Sequence, residues 1–130
     1  MDEESIILEA GQYFAKHAGD LVAAYVFGSI ARRTSGPSSD VDIAVLFVVP
    51  PAPTLAGLPL ETEAELEQLL GRPVQVVVLN GAPVDLVHRV LRDGVLVYEA
   101  DRAARVNFEV AARREYLDLL PILRRYRKAA

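Results

Sequence analysis

The chain has 130 residues, 52% of them hydrophobic, which suits one domain with enough apolar material for a core. It has no cysteine, which excludes disulfides, thiol nucleophiles and cysteine-ligated zinc. Its formal charge is -4, its start MDEESIILEA is acidic where a secretory leader is basic, and no apolar run reaches the roughly 20 residues of a membrane span, so a cytoplasmic domain is expected.

From the N-terminus, residues Glu3 to Ala18 place Ile6, Ile7, Tyr13 and Phe14 at helical spacing, with Asp2 or Ser5 available as a cap. Leu21 to Phe27 is a short apolar run rich in β-formers and reads as a buried strand. The stretch from Gly28 to Ser39 begins as a turn, with a short helix through Ile30 to Arg33, and Val41 to Val49 reads as a second strand. Pro50, Pro51, Pro53 and Pro59 then forbid regular structure, and Thr62 is the expected cap of a helix that puts Leu66, Leu69 and Leu70 on one face. Gly71 stops that helix. Val74 to Leu79 is a third strand, Pro83 starts a helix that Gly94 ends, and Val95 to Tyr98 is a short strand. Asp101 opens a final helix towards Tyr126, with a kink expected at Pro121. Helices alternating with strands predict an α/β domain, a small sheet flanked by helices, with Gly28 at a strand-to-helix turn where backbone N–H groups can meet phosphate.

The chemistry concentrates in Gly28-Ser29, ten further residues, and Asp40-Val41-Asp42. Alternation along a strand would turn Asp40 and Asp42 to one side and Val41 and Ile43 into the core. Two adjacent carboxylates repel unless a cation shares them, and Mg²⁺ takes oxygen ligands while bridging carboxylates to substrate phosphates. Gly28 lets the backbone approach a phosphate, the Ser29 hydroxyl can bond one, and Arg32 or Arg33 can offset triphosphate charge.

The stretch YVFGSIARRTSGPSSDVDIAVLF resembles the signature of the polymerase-β-like nucleotidyltransferases, and in particular the minimal nucleotidyltransferases, MNT. GRPVQVVVLNGAP, VLRDGVLVYEAD and REYLDLLPILRRYRKAA resemble the family's third strand, last helix and strand, and C-terminal helix. The resemblance implies a small mixed sheet flanked by helices, spanning residues 1–130, with residues 100–130 as a partner-binding helix. It also implies an antitoxin of a HEPN/MNT pair that transfers AMP from ATP, with Mg²⁺, to a tyrosine of a HEPN ribonuclease toxin. On this carry-over Asp40 and Asp42 are the metal-binding and catalytic carboxylates, and Gly28, Ser29 and Arg32 hold the nucleotide. One departure stands out: the family's third carboxylate matches Gln75, an amide that can ligate through oxygen but brings no charge and cannot act as a base. Asp85 and Glu99 are the alternatives, outside the predicted third strand.

His17 and His88 lack any His-x-x-x-His spacing and read as structural, and Tyr13, Phe14, Phe27 and Phe47 read as core. Residues 101 to 130 carry 8 of the 14 Lys and Arg, whereas residues 1 to 100 carry 14 of the 18 acidic groups. The basic tail reads as a partner surface or as a solvated amphipathic face. In the final helix Phe108, Ala112, Tyr116 and Leu120 form a stripe that Leu119, Leu123 and Tyr126 continue, and its end, with Arg124, Arg125, Arg127 and Lys128, is expected to project towards a partner. Two further functions remain open beside AMP transfer: neutralisation of a toxin by contact alone, favoured by Gln75, and small-molecule adenylylation, disfavoured by the lack of a second domain to form an acceptor pocket. The acidic body argues against direct nucleic-acid binding and for a hetero-oligomer with a protein.

Overall fold

The computed structural model describes residues 1–52 and 59–129, so most of the proline-rich stretch, Pro53 included, lies outside the described residues. In chain order the elements are α1 (Glu3–Lys16), β1 (Leu21–Phe27), α2 (Gly28–Ala31), β2 (Val41–Phe47), α3 (Leu60–Leu70), β3 (Val74–Val78), α4 (Val84–Asp93), β4 (Val95–Glu99) and α5 (Arg102–Ala129). The four strands form one mixed sheet in the order β3-β2-β1-β4, with β2 and β3 parallel and β1 antiparallel to both its neighbours.

The sheet has a core on each face, which is why β1, at its centre, is apolar almost throughout instead of alternating. On one side Ile6, Ala10, Phe14, Leu66 and Leu70, from α1 and α3, pack on Ala24, Val26, Ile43 and Val45. Gly11 allows α1 to lie close to the sheet, since a Cβ there would come within 2.9 Å of the Val97 carbonyl oxygen. On the other side Val87 and Val90 of α4, with Ala104, Phe108 and Ala112 of α5, cover Ala23, Tyr25, Ala44 and Leu46. Tyr13 and Phe14 are buried as expected, while Phe27 and Phe47 are partly buried and pack against the two cores.

Several boundaries differ from those expected, each for a local reason. Asp2 is the cap of α1, its carboxylate accepting from the Ser5 N–H at 2.7 Å. The short helix α2 starts directly off β1 at Gly28 and closes before Arg33. Arg33 is left-handed (φ 61°), the Thr34 N–H donates to the Ser29 carbonyl, and the Arg33 N–H donates to the Ile30 carbonyl, a paired ending that usually takes glycine. Strand β2 stops at Phe47 because the Asn80 side chain occupies both its backbone groups, accepting from N–H at 2.8 Å and donating to the carbonyl at 3.0 Å. Val48 and Val49, expected in the strand, are exposed.

Thr62 does not cap α3. The helix begins at Leu60 after Pro59, with Glu61 and Glu63 in its first turn, where carboxylates suit the positive helix end. Glu63 and Glu67 of the same helix accept from the backbone N–H groups of Val76 and Val74, closing donors of the edge strand β3 that would otherwise be free to pair. Asp101 caps α5 by accepting from the Ala104 N–H at 3.0 Å. That helix runs through Pro121, whose ring supplies no N–H for the Leu117 carbonyl. No helix among the described residues is long and apolar enough to cross a membrane.

Candidate active site

Antiparallel pairing of β1 with β2 sets Phe27 opposite Asp42, so the residue after β1, Gly28, arrives beside the Asp42 carboxylate. Gly28 is left-handed (φ 70°), and a Cβ there would collide with Asp42 Oδ2 and lie 3.2 Å from Cγ. The glycine is therefore required twice, by its backbone conformation and by the carboxylate packed against it. Val41 and Ile43 are fully buried on the α1/α3 side, which turns Asp42 to the α4 side, half-buried.

Asp40 lies one residue before β2 and is exposed, so strand alternation alone does not place it. Its charge nevertheless reaches Asp42. Burial first, and then the Asp40 carboxylate, push the Asp42 carboxyl above the usual aspartate range, with Arg32 and Arg89 pulling the other way. Arg32 follows α2 as its C-terminal cap, and Arg89 sits on α4. Arg89, whose charge acts on Asp42, is a candidate that the sequence reading missed: it lies far along the chain in an amphipathic helix, and only the packing of α4 against the sheet brings it near Asp42.

Gln75 lies on β3 in direct register with Asp42, and because Val74 and Val76 face the α1/α3 core, its side chain shares the Asp42 face. Glu99 is not a substitute. It pairs with Ala23 at the far end of β1 from Asp42 and is engaged by Arg105. Asp85 lies in the first turn of α4, and among the described residues no group of three or more His, Cys, Asp and Glu side chains could hold a metal ion. Asp42 and Gln75 in register, with Asp40 just before the strand, offer two carboxylates and an amide oxygen. These ligand types suit a hard, oxygen-seeking divalent cation, whose charge would offset the burial and the Asp40 repulsion that raise the Asp42 carboxyl.

The two histidines belong elsewhere. His17 takes the end of α1, its Nδ1 3.0 Å from the Tyr13 carbonyl and its ring stacked on Tyr13, and the His88 ring stacks on Tyr116 of α5.

A model of the polymerase beta nucleotidyltransferase family matches residues 9–103, a span that includes Gly28, Ser29, both aspartates and Gln75. The chain belongs to that family. A solved minimal nucleotidyltransferase is 34% identical, covering 73% of this chain and 95% of that one, with a TM-score of 0.57. Nucleotidyltransferase folds of nearly the whole length also occur in two toxin–antitoxin structures. One, solved with AMP-PNP, contains a chain 23% identical, covering 99% of this chain and 98% of that one, with a TM-score of 0.78. The other is tri-AMPylated Shewanella oneidensis HEPN toxin in complex with MNT antitoxin, with a chain 20% identical, covering 98% of this chain and 97% of that one, at a TM-score of 0.74. At that identity the likeness is one of fold, and it takes in the long C-terminal helix outside the family model. A comparison with curated proteins gave no match.

Proposed function

We propose that this nucleotidyltransferase is the antitoxin of a HEPN/MNT pair, transferring AMP from ATP to a tyrosine of its HEPN toxin in the cytoplasm. The observation that carries the reading is the packing of Gly28 against Asp42, with Asp40, Arg32 and Arg89 around the same carboxylate. The AMP-PNP complex and the AMPylated toxin of the structural relatives support the nucleotide and the acceptor.

In this reading Asp40 and Asp42 would hold Mg²⁺, which when bound would neutralise triphosphate charge. Gly28 makes room for the Asp42 carboxylate at the turn, the Ser29 hydroxyl bonds a phosphate oxygen, and Arg32 and Arg89 offset the remaining charge. The acceptor tyrosine oxygen bonds to the α-phosphorus as the bond from that phosphorus to the oxygen bridging to the β-phosphate breaks; pyrophosphate leaves and the hydroxyl proton passes to solvent. The test is calorimetry of ATP with Mg²⁺ on the wild type and on the Asp40→Asn/Asp42→Asn variant. The reading expects binding in the first and its loss in the second, with folding retained. Equal affinity in both overturns the site.

Gln75 supports a second reading, in which turnover is weakened and the toxin is neutralised by contact. The amide is in register with Asp42, and on the family resemblance it stands where a third carboxylate is expected, without that charge. If that limits transfer, Gln75→Glu raises the rate of AMP transfer to the toxin. A lowered rate would show that the amide already suits the site.

The partner surface we assign to the end of α5. Ile122 and Tyr126 are 50% and 74% exposed there, beside Arg124, Arg125 and Arg127. Apolar anchors flanked by cations suit a groove with an acidic rim.

A further inference from the structure

Asp40 lies in the loop between α2 and β2, and the backbone on both sides of it is held by the turn between α3 and β3. Arg72 in that turn donates from Nη1 to the Gly36 carbonyl at 2.9 Å and to the Ser39 carbonyl at 3.5 Å. The Ser39 carbonyl belongs to the peptide that leads into Asp40. On the other side of Asp40, the Val41 N–H donates to the carbonyl of Pro73 at 2.9 Å. Two consecutive residues, Arg72 and Pro73, therefore grip the two peptides that flank one aspartate. Nη2 of Arg72 also donates to the Met1 carbonyl at 3.0 Å, tying the grip to the start of α1.

A second anchor acts from α1. Glu3 accepts from both the N–H of Ser35, at 3.2 Å, and its hydroxyl, at 2.6 Å. Within the loop the Ser39 hydroxyl accepts from the Gly36 N–H at 2.8 Å. The loop is thus fixed at Ser35, Gly36, Ser39 and Val41, whereas the Asp40 side chain is exposed. A carboxylate outside the strand ladder would otherwise lose conformational freedom on capturing a cation, and affinity would fall by that amount.

We infer that Arg72 is a positioning residue, which with Pro73 and Glu3 holds Asp40 beside Asp42 and so sets the affinity of the pair for a divalent cation. The inference rests on the metal-nucleotide reading above. It makes a claim of unusual sign, because Arg72 is itself a cation. If Arg72 acted only through its charge, its removal would tighten cation binding; if it acts by holding the loop, its removal weakens binding.

The test is a Mn²⁺ titration followed by electron paramagnetic resonance of the free ion, on the full chain without nucleotide. Arg72→Ala is expected to weaken binding about tenfold, the scale seen when a ligand loses its supporting hydrogen bonds. Arg72→Lys keeps the charge but loses the fork, and is expected to fall between Arg72→Ala and the wild type. Ser35→Ala, which removes the hydroxyl bond to Glu3 but keeps the backbone one and alters no charge, is expected to weaken binding less than Arg72→Ala. Circular dichroism confirms folding, and if Arg72→Ala unfolds, the Lys and Ser35 variants carry the comparison. Unchanged or tighter Mn²⁺ binding in the folded variants overturns the positioning role. If the wild type itself binds no more Mn²⁺ than the Asp40→Asn/Asp42→Asn variant, the metal reading fails first and takes this one with it.

Discussion

At the scale of single residues, Gly28 and Asp42 act as one unit. Gly28→Ala would place a methyl group against the Asp42 carboxylate and force an L-residue into the left-handed region, the latter alone costing about 1–2 kcal/mol. We expect a lower unfolding midpoint in a denaturant titration, together with loss of ATP binding, because the carboxylate must move aside. Asp42 also predicts a pH dependence. Its carboxyl is raised by burial and then by Asp40, so the fold favours the protonated form. Cation binding needs the ionised pair, and it therefore declines as pH falls through a value above the ordinary aspartate range. The same sign means that the charged form costs stability in the free protein at neutral pH, so Asp42→Asn is expected to raise the unfolding midpoint without metal while abolishing Mn²⁺ binding. A Mn²⁺ affinity profile in which Asp40→Asn leaves the inflection where it was would contradict the Asp40 part of the shift and leave burial as its whole cause. Much of this pair was legible in the sequence, since Gly-Ser and Asp-x-Asp are local patterns whose spacing survives folding. Arg89 and the grip of Arg72 on Asp40 were not, because they depend on which elements become neighbours and on backbone carbonyls that carry no sequence signal.

At the scale of elements, α5 has two parts with different physics. Its first half is anchored by a buried charge. Glu109 accepts from the Tyr25 hydroxyl at 2.6 Å and from Arg105 at 2.7 Å, and Arg105 also binds Glu99. Burial alone would push the Glu109 carboxyl up, but the bonds from Tyr25 and Arg105 outweigh it and hold it low. Stability from this anchor is therefore present at neutral pH and lost in acid, as the pH falls through that lowered value. Glu109→Ala leaves the Tyr25 hydroxyl without its acceptor while Arg105 keeps Glu99, and we expect a loss of about 1–3 kcal/mol in urea unfolding. A loss under about 0.5 kcal/mol, the range of ordinary surface substitutions, would show that the network adds nothing. The second half has fewer neighbours: Leu117, Ile122 and Tyr126 are exposed. Truncation from Pro121 onward should weaken capture of the toxin much more than ATP binding, read by a pull-down and an ATP titration on the same truncated chain. Equal capture would move the partner surface elsewhere. The stripe of α5 was readable from helical periodicity, and so was its apolar continuation. The point at which packing stops depends on where α4 ends, and that contact is tertiary.

At the scale of the molecule, the mixed sheet brings together chemistry from three places in the chain. The turn after β1 supplies Gly28, the start of β2 supplies the aspartates, and β3 supplies Gln75. Strand order was not evident from the apolar runs themselves, because β1 and β2 are buried on both faces and so carry no alternation to reveal their neighbours. The register that seats Gln75 beside Asp42 is thus a property of the whole sheet. It leaves this nucleotidyltransferase with one carboxylate pair, an amide where the family resemblance expects a third acid, and a long cationic helix end. The central claim is that such a site transfers AMP to the partner. The most direct measurement is the intact mass of a copurified HEPN toxin before and after incubation of the complex with ATP and Mg²⁺. The account predicts that each transfer adds the mass of one AMP to the toxin, and that the addition disappears in the Asp40→Asn/Asp42→Asn variant. An unchanged toxin mass with the wild-type chain, under conditions where it binds ATP, would contradict it.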